Sequence, residues 1–281
     1  MEAGTQTRQT CYRHPNRETG VSCSNCGRPI CPECMTSTPV GMRCPECARQ
    51  TTKVRVGQGA FGPTAGKMPA TIVLIAINAI VFVAELAAGG MGGLDGGGSL
   101  IRDAGLRGPE IADGDWWRVV SSGFLHAGFL HLLLNMYVLW VAGSILEPGI
   151  GTARFLAIYF VSLLAGSLGA LIVEPDTVTV GASGAIFGLM AAVIVVARGR
   201  GVEQLASQFG LFVVLNLVLT FSIPGISIGG HVGGLIGGAL AAALVIYVER
   251  QMSGRPGFAL ELAGVVLMIA ATFVGALAVA G

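Results

Sequence analysis

The sequence predicts an all-α polytopic membrane protein preceded by a small metal-binding module, and three observations carry that prediction. Seven long apolar stretches fill the chain from residue 70 onward, all seven cysteines lie before residue 48, and charged residues make up 12% of the 281. A soluble domain carries about 25% charged residues, so most of this chain belongs in a bilayer. The net charge of +1 is a balance of unlike parts, because nine of the 17 basic residues precede the first apolar stretch. So sharp a change of chemistry along one chain implies separate domains. The boundaries read as a metal-binding module at 1–50, a Gly-rich linker at 51–69, a membrane core at 70–248 and a further membrane helix at 249–281. No positive-then-apolar signal peptide opens the chain, so the N-terminus is expected to be kept.

The N-terminal cysteines follow the pattern C-x2-H-x8-C-x2-C-x4-C-x2-C-x9-C-x2-C. The ligand pairs are Cys11/His14, Cys23/Cys26, Cys31/Cys34 and Cys44/Cys47. A two-residue spacing lets one knuckle present both ligands to a tetrahedral ion, and thiolate with imidazole selects zinc. Eight ligands make two closed sites, which are structural, because catalytic zinc keeps an open position. A disulfide framework is the competing reading; it needs an oxidising compartment, and an odd number of cysteines completed by a histidine argues against it. The spacing resembles a B-box-type zinc finger. That resemblance implies a cross-brace, with pairs one and three on one ion and pairs two and four on the other. It also implies a protein partner; with Tyr12 the one aromatic here, no stacking platform for nucleic acid is expected.

The apolar stretches run over Ala70–Ala88, Phe124–Leu146, Ala153–Val173, Ala182–Ala197, Leu205–Phe221, Ile228–Val248 and Phe258–Val279. Most approach the roughly 20 residues that span a bilayer. The fourth is short, and beginning below the membrane surface would sink its first residues into a cavity. Placing the N-terminus in the cytosol puts Arg154, Arg198, Arg200, Arg250 and Arg255 in inner loops and only Arg102, Arg107 and Arg118 outside, as the positive-inside rule requires. Zinc thiolates also suit a reducing cytosol. The C-terminus then lies outside, and the cell membrane is the expected host.

In this topology stretches two, four and six all descend from the outer face. Stretch two carries His126, His131 and Asn135 near its start, stretch four opens on Ser183, and stretch six carries His231. Ionisable residues inside a membrane are functional candidates, and three helices delivering their rare hydrogen-bonding side chains to one layer is hard to obtain from packing alone. His131 and Asn135 are four apart and share a helix face; His126 does not and reads as structural. Gly184 with Gly188, and Gly230 with Gly234 and Gly238, allow close backbone approach. That approach would bring the Ser183 hydroxyl to His231, a base able to activate it. Elsewhere, the glycine-rich tract in the loop Gly89–Gly123 reads as flexible, Trp116 and Trp117 as interfacial anchors, Glu85 as snorkelling to the surface, and Glu147 as the ion-pair partner of Arg154.

The set Trp117-Arg118, His126 with His131-x3-Asn135, Glu147-x3-Gly151-x2-Arg154, Gly181-Ala-Ser183-Gly184 and His231-x2-Gly234-x3-Gly238 resembles the rhomboid intramembrane serine proteases over about Ala70–Val248. The resemblance implies a six-helix core, with the seventh stretch an addition. It implies Ser183 as nucleophile, His231 as general base, and an oxyanion site near Asn135 and His131 completed by the Ser183 N–H. It also makes stretch five the lateral gate. No acidic residue in stretches four or six reaches the outer layer, so a Ser183–His231 dyad is expected, with no cofactor for catalysis. The substrates expected are transmembrane segments that locally unwind in the lipid bilayer. A rhomboid-like adaptor that binds helices without cutting them is the alternative, and retention of both serine and histidine argues against it. A transporter or channel would need a polar path through helices two, four and six, and their polar residues stop in the outer third.

Overall fold

The computed structural model describes residues 9–38, 41–49, 68–89, 98–252 and 255–281. Most of the expected linker at 51–69 and of the glycine-rich tract lies outside the described residues. The chain divides into two compact units, 1–59 and 60–281.

The first unit has β1 (Gln9–Cys11) paired antiparallel with β2 (His14–Thr19), a single 3-10 turn at Pro32–Cys34, β3 (Thr36–Thr38) paired antiparallel with β4 (Gly41–Arg43), and α1 (Pro45–Arg49). Its interior is six cysteines and Ile30, with Tyr12 and Met35 packed alongside. So little aliphatic surface cannot hold a fold of this size. The buried thiols point inward for another purpose.

The second unit is helical: α2 (Pro69–Ala87), the short α3 (Ser99–Ala104), α4 (Gly108–Ala112) and α5 (Arg118–Ser121), then α6 (Phe129–Ile150), α7 (Thr152–Val173), α8 (Ser183–Gly199), α9 (Glu203–Ser222), α10 (Ile228–Gln251) and α11 (Arg255–Ala280). Six of these are long and apolar enough to cross a membrane, the last of them over Gly257–Ala280, while α8 has 17 residues. At 1.5 Å per residue α8 is about 25 Å long, short of a hydrocarbon core of about 30 Å. Large apolar side chains face outward, among them Ile80 at 68%, Leu211 at 63% and Leu267 at 69% exposed; lipid is the medium that covers them. The protein is a multi-pass integral membrane protein.

Helices α7 and α8 are the most enclosed, and glycine sets how they meet α10. A Cβ on Gly234 would collide with the backbone of Gly184, and one on Gly238 with that of Gly188. These pairs rise together along both chains, so α8 and α10 run parallel with backbones touching. A second seam, unmarked in the motif, lies on the other side of α10. There Gly229 meets Gly169, and Gly233 meets Ala165, on the antiparallel α7. With no strong hydrophobic drive between helices in lipid, such close packing and polar contacts hold them together.

Three expectations need correction. The second apolar stretch does not form one helix from Phe124. Residues Ser122–Phe124 make a separate 3-10 turn, and α6 begins at Phe129 after Gly128, leaving His126 in the connection. Glu147 does not pair with Arg154. It is buried near the end of α6, where its Oε1 accepts from Ala70 N and Thr152 Oγ1 (2.9 Å each) and its Oε2 from Thr71 N (2.8 Å) and Thr71 Oγ1 (2.7 Å). The carboxylate thus caps the first turn of α2, whose own Met68 offers no side-chain cap. Arg154 instead clamps Glu261 on α11 through both guanidinium–carboxylate contacts, 2.7 and 2.8 Å. Glu85 does not snorkel. It is 2% exposed, and its Oε1 accepts the His126 N–H at 3.0 Å.

The described part of the long loop is firmly tied. Arg118, itself buried, donates to the carbonyls of Arg102 (2.7 Å) and Gly105 (3.0 Å) and to Asp115 (3.0 Å). Leu106 and Thr179 form a β-bridge, and Gly181 N donates to Ser122 O at 2.9 Å. The loop therefore holds the segment that leads into α8. Trp116 and Trp117 are exposed, as anchors at the membrane surface must be, and Trp116 sets its edge against Phe273 of α11.

Candidate functional site

Three helix starts converge in the second unit. Ser183 is the first residue of α8, His131 and Asn135 lie in the first two turns of α6, and His231 lies in the first turn of α10. Gly181 makes the approach to Ser183 possible. Its φ is +126°, and a Cβ there would stand 2.7 Å from His131 Cε1, 2.9 Å from His131 Nε2 and 3.7 Å from Ser183 Oγ. A side chain at 181 would fill the space between the His131 ring and the serine hydroxyl.

The α8–α10 seam brings His231 beside Ser183. Gly184, the next residue, packs on the carbonyl of Gly230, and Phe187, one turn below Ser183, stacks on the His231 ring at 4.1 Å and 19°. Ser227 caps α10, its Oγ accepting from Gly230 N at 3.0 Å, and Glu174 Oε1 accepts from Ile228 N at 3.1 Å. These contacts fix the backbone that carries His231. Among the described residues no hydrogen bond joins Ser183 Oγ to His231 in this state; such bonds commonly tighten only when substrate arrives.

On the opposite side, Asn135 Nδ2 donates one proton to His131 O at 3.0 Å, leaving its second available. The His126 ring meets His131 edge-on at 5.1 Å, and neither His126 ring nitrogen has a partner among the described residues. Because α8 opens at Ser183, the N–H groups of Ser183 and Gly184 have no carbonyl four residues back. They sit at the positive end of the helix dipole, a setting suited to a developing negative charge.

Two contributors escaped the motif reading. Phe187 was visible only as the residue four after Ser183. Thr220, near the end of α9, places its Oγ1 2.7 Å from His231 Nδ1; a hydroxyl at the outer end of stretch five was the one signal for it.

In the first unit the eight expected ligands separate into Cys11, His14, Cys31 and Cys34, and Cys23, Cys26, Cys44 and Cys47, two groups that could each hold a metal ion, the atoms of each set within 4.8 Å of one another. Pairs one and three thus share a cluster, as do two and four. Both sets fit a tetrahedral ion. Four sulfur ligands at about 2.3 Å stand about 3.8 Å apart, and Cys26 Sγ and Cys44 Sγ are 3.8 Å apart. His14 Nδ1 lies 3.4 and 3.5 Å from the sulfurs of Cys31 and Cys34. Desolvation works against thiolate at Cys11 and Cys23, but backbone N–H donors outweigh it and bring both down to about 6. Desolvation prevails at Cys34 and Cys44, pushing them up to about 11 and about 12, so a bound cation would be what holds these two as thiolates. Around the clusters, Arg17 pairs with Glu33, Arg13 with Glu46, and the Tyr12 hydroxyl donates to Glu46.

Comparison with known proteins gives a consistent result. Residues 113–248 match the Rhomboid domain family. Rhomboid protease GluP of Bacillus subtilis (strain 168) is 33% identical over 170 residues, covering 59% of this chain and 33% of that protein. Putative rhomboid protease YdcA of the same organism is 49% identical over 80 residues, covering 28% of this chain and 40% of its own. RHOMBOID-like protein 5 of Arabidopsis thaliana is 43% identical over 86 residues, or 30% and 28% of the two chains. The chain thus spans between about a quarter and two fifths of the length of these relatives.

Proposed function

We propose, from the match of residues 113–248 to the Rhomboid domain family, that the protein is an intramembrane serine endopeptidase acting on transmembrane segments of other membrane proteins. The observation that carries the reading is the convergence of Ser183, His231, His131 and Asn135 from three helices whose spacing is set by glycine contacts. Ser183 Oγ attacks the scissile carbonyl while His231 takes its proton, and His231 then protonates the departing amine. Asn135 Nδ2, His131 and the Ser183 N–H stabilise the oxyanion, aided by the α8 N-terminus. Water entering from the outer side resolves the acyl-enzyme.

A helical peptide bond is shielded by its own hydrogen bonds, so the substrate must unwind locally. Helix α9, with exposed Leu211, Val214 and Phe221, is the proposed gate. A cavity of about 220 Å³ between α6 and α9, lined by Tyr137, Val138, Val141, Gln208, Phe209 and Phe212, supports that route. The N-terminal module, residues 1–50, is proposed to hold two structural Zn²⁺ ions and to engage a protein partner, facing the cytosol from a cell-membrane protein whose C-terminus lies outside. A linker at 51–69, a core at 70–248 and an added helix at 249–281 complete the organisation.

The test is cleavage of a transmembrane substrate by reconstituted protein, with labelling by a fluorophosphonate probe. Ser183→Ala and His231→Ala are expected to abolish cleavage, and Ser183→Ala to abolish labelling. Cleavage that persists in either variant would overturn the dyad, and wild-type protein that neither cleaves nor takes the label would overturn the reading in favour of a non-proteolytic adaptor.

A further inference from the structure

We propose that Thr220 is the positioning residue for His231: its hydroxyl accepts the Nδ1–H of the imidazole and so fixes the tautomer that leaves Nε2 bare. The proposal rests on the reading of His231 as general base and names the group that orients it in the absence of an acidic residue.

The argument is a count of one proton. Thr220 Oγ1 lies 2.8 Å from the carbonyl oxygen of Asn216 and 2.7 Å from His231 Nδ1. A carbonyl only accepts, so the first contact requires the threonine proton. The hydroxyl then has only lone pairs to offer Nδ1, and the proton between them must belong to the imidazole. In the reverse arrangement Thr220 donates to Nδ1 and leaves two oxygens facing each other at 2.8 Å with no hydrogen between them. The donor count agrees. With Nδ1 protonated, the imidazole N–H, the threonine O–H and the serine O–H each have an acceptor available.

Burial makes the contact matter, since Thr220 is 2% and His231 8% exposed, and little water competes. Phe187, stacked on the ring, sets the imidazole plane, and Thr220 sets which edge faces which way. The bond also crosses between helices. Thr220 belongs to α9 and His231 to α10, so the orientation of the base depends on α9 being seated.

The test reads the tautomer directly, by ¹⁵N NMR of histidine-labelled full-length protein, with the His231 signals assigned by their loss in His231→Asn. Wild type and Thr220→Ser are expected to show His231 protonated at Nδ1 and bare at Nε2. Thr220→Val keeps the shape without the acceptor. It is expected to shift His231 towards the other tautomer and to lower kcat roughly tenfold, the worth of one hydrogen bond, with KM unchanged and activity restored in Thr220→Ser. Wild-type His231 protonated at Nε2 would overturn the proposal, as would a Thr220→Val protein with wild-type kcat. The tautomer is read without turnover, so it stands or falls separately from the protease reading, which the Ser183→Ala variant decides.

Discussion

Replacing Glu147 by glutamine changes the side chain by little more than one atom and tests how the first membrane helix is held. Each carboxylate oxygen accepts one backbone N–H of α2 and one threonine hydroxyl. In glutamine one oxygen becomes an NH₂ group. A threonine hydroxyl can rotate to accept from it, but the N–H of Ala70 or Thr71 cannot turn away. One buried backbone donor is therefore orphaned, at about 1–3 kcal/mol. The other bonds lose their charge assistance, and relief from burying a charge offsets part of that loss, leaving about 1 kcal/mol more. The expected destabilisation is about 3 kcal/mol, a large share of a typical total stability. For a unit of this size that lowers Tm by about 6–12 °C. Thermal unfolding of purified protein in detergent measures it, and Glu147→Ala, which orphans both N–H groups, should fall further. A Glu147→Gln protein melting within about 2 °C of wild type would refute the capping argument.

Three further outcomes follow from the same geometry. Arg154→Ala leaves Glu261 buried without its partner and should cost about 3 kcal/mol; a double-mutant cycle with Glu261→Ala should show coupling, and strictly additive losses would deny the clamp on α11. Gly234→Ala forces α10 away from α8, with an overpacking cost of about 1–3 kcal/mol. A displacement of about 1 Å in the site should reduce cleavage roughly 100-fold, measured on the transmembrane substrate; undiminished cleavage would count against the seam. Purified full-length protein should carry two zinc ions per chain by elemental analysis, and Cys31→Ser should carry one or none; two ions retained in that variant would exclude Cys31 as a ligand.

Much of this was legible in the sequence because the signals were local. The two-residue knuckle spacing marks the Cys/His pairs that cluster, and hydropathy marks the six long apolar helices and the shorter α8, since each is a property of one stretch of chain. The Gly184–Gly188 and Gly234–Gly238 faces were readable from small residues four apart. What escaped depends on contacts between distant segments. Glu147 and Arg154 are seven residues apart and opposite in charge, yet α6 continues through Pro148 to Ile150 and turns their side chains to different helices. Gly229 and Gly233 carried the same spacing, but only the fold shows that α10 is wedged between two helices. Thr220 bonds the Asn216 carbonyl one turn back in its own helix, as helix threonines do; its second contact exists because α9 lies against α10.

The glycine seams have a consequence for how such a protein can vary. Where α8 meets α10 there is no layer of side chains to be exchanged, so the separation of Ser183 and His231 is a distance between main chains. Substitutions on the lipid faces of α9 and α6, away from Thr220, leave that distance untouched. One surface is thus free to drift towards new partners in the bilayer while the other stays constant. Selectivity and chemistry become separately heritable traits of a single bundle.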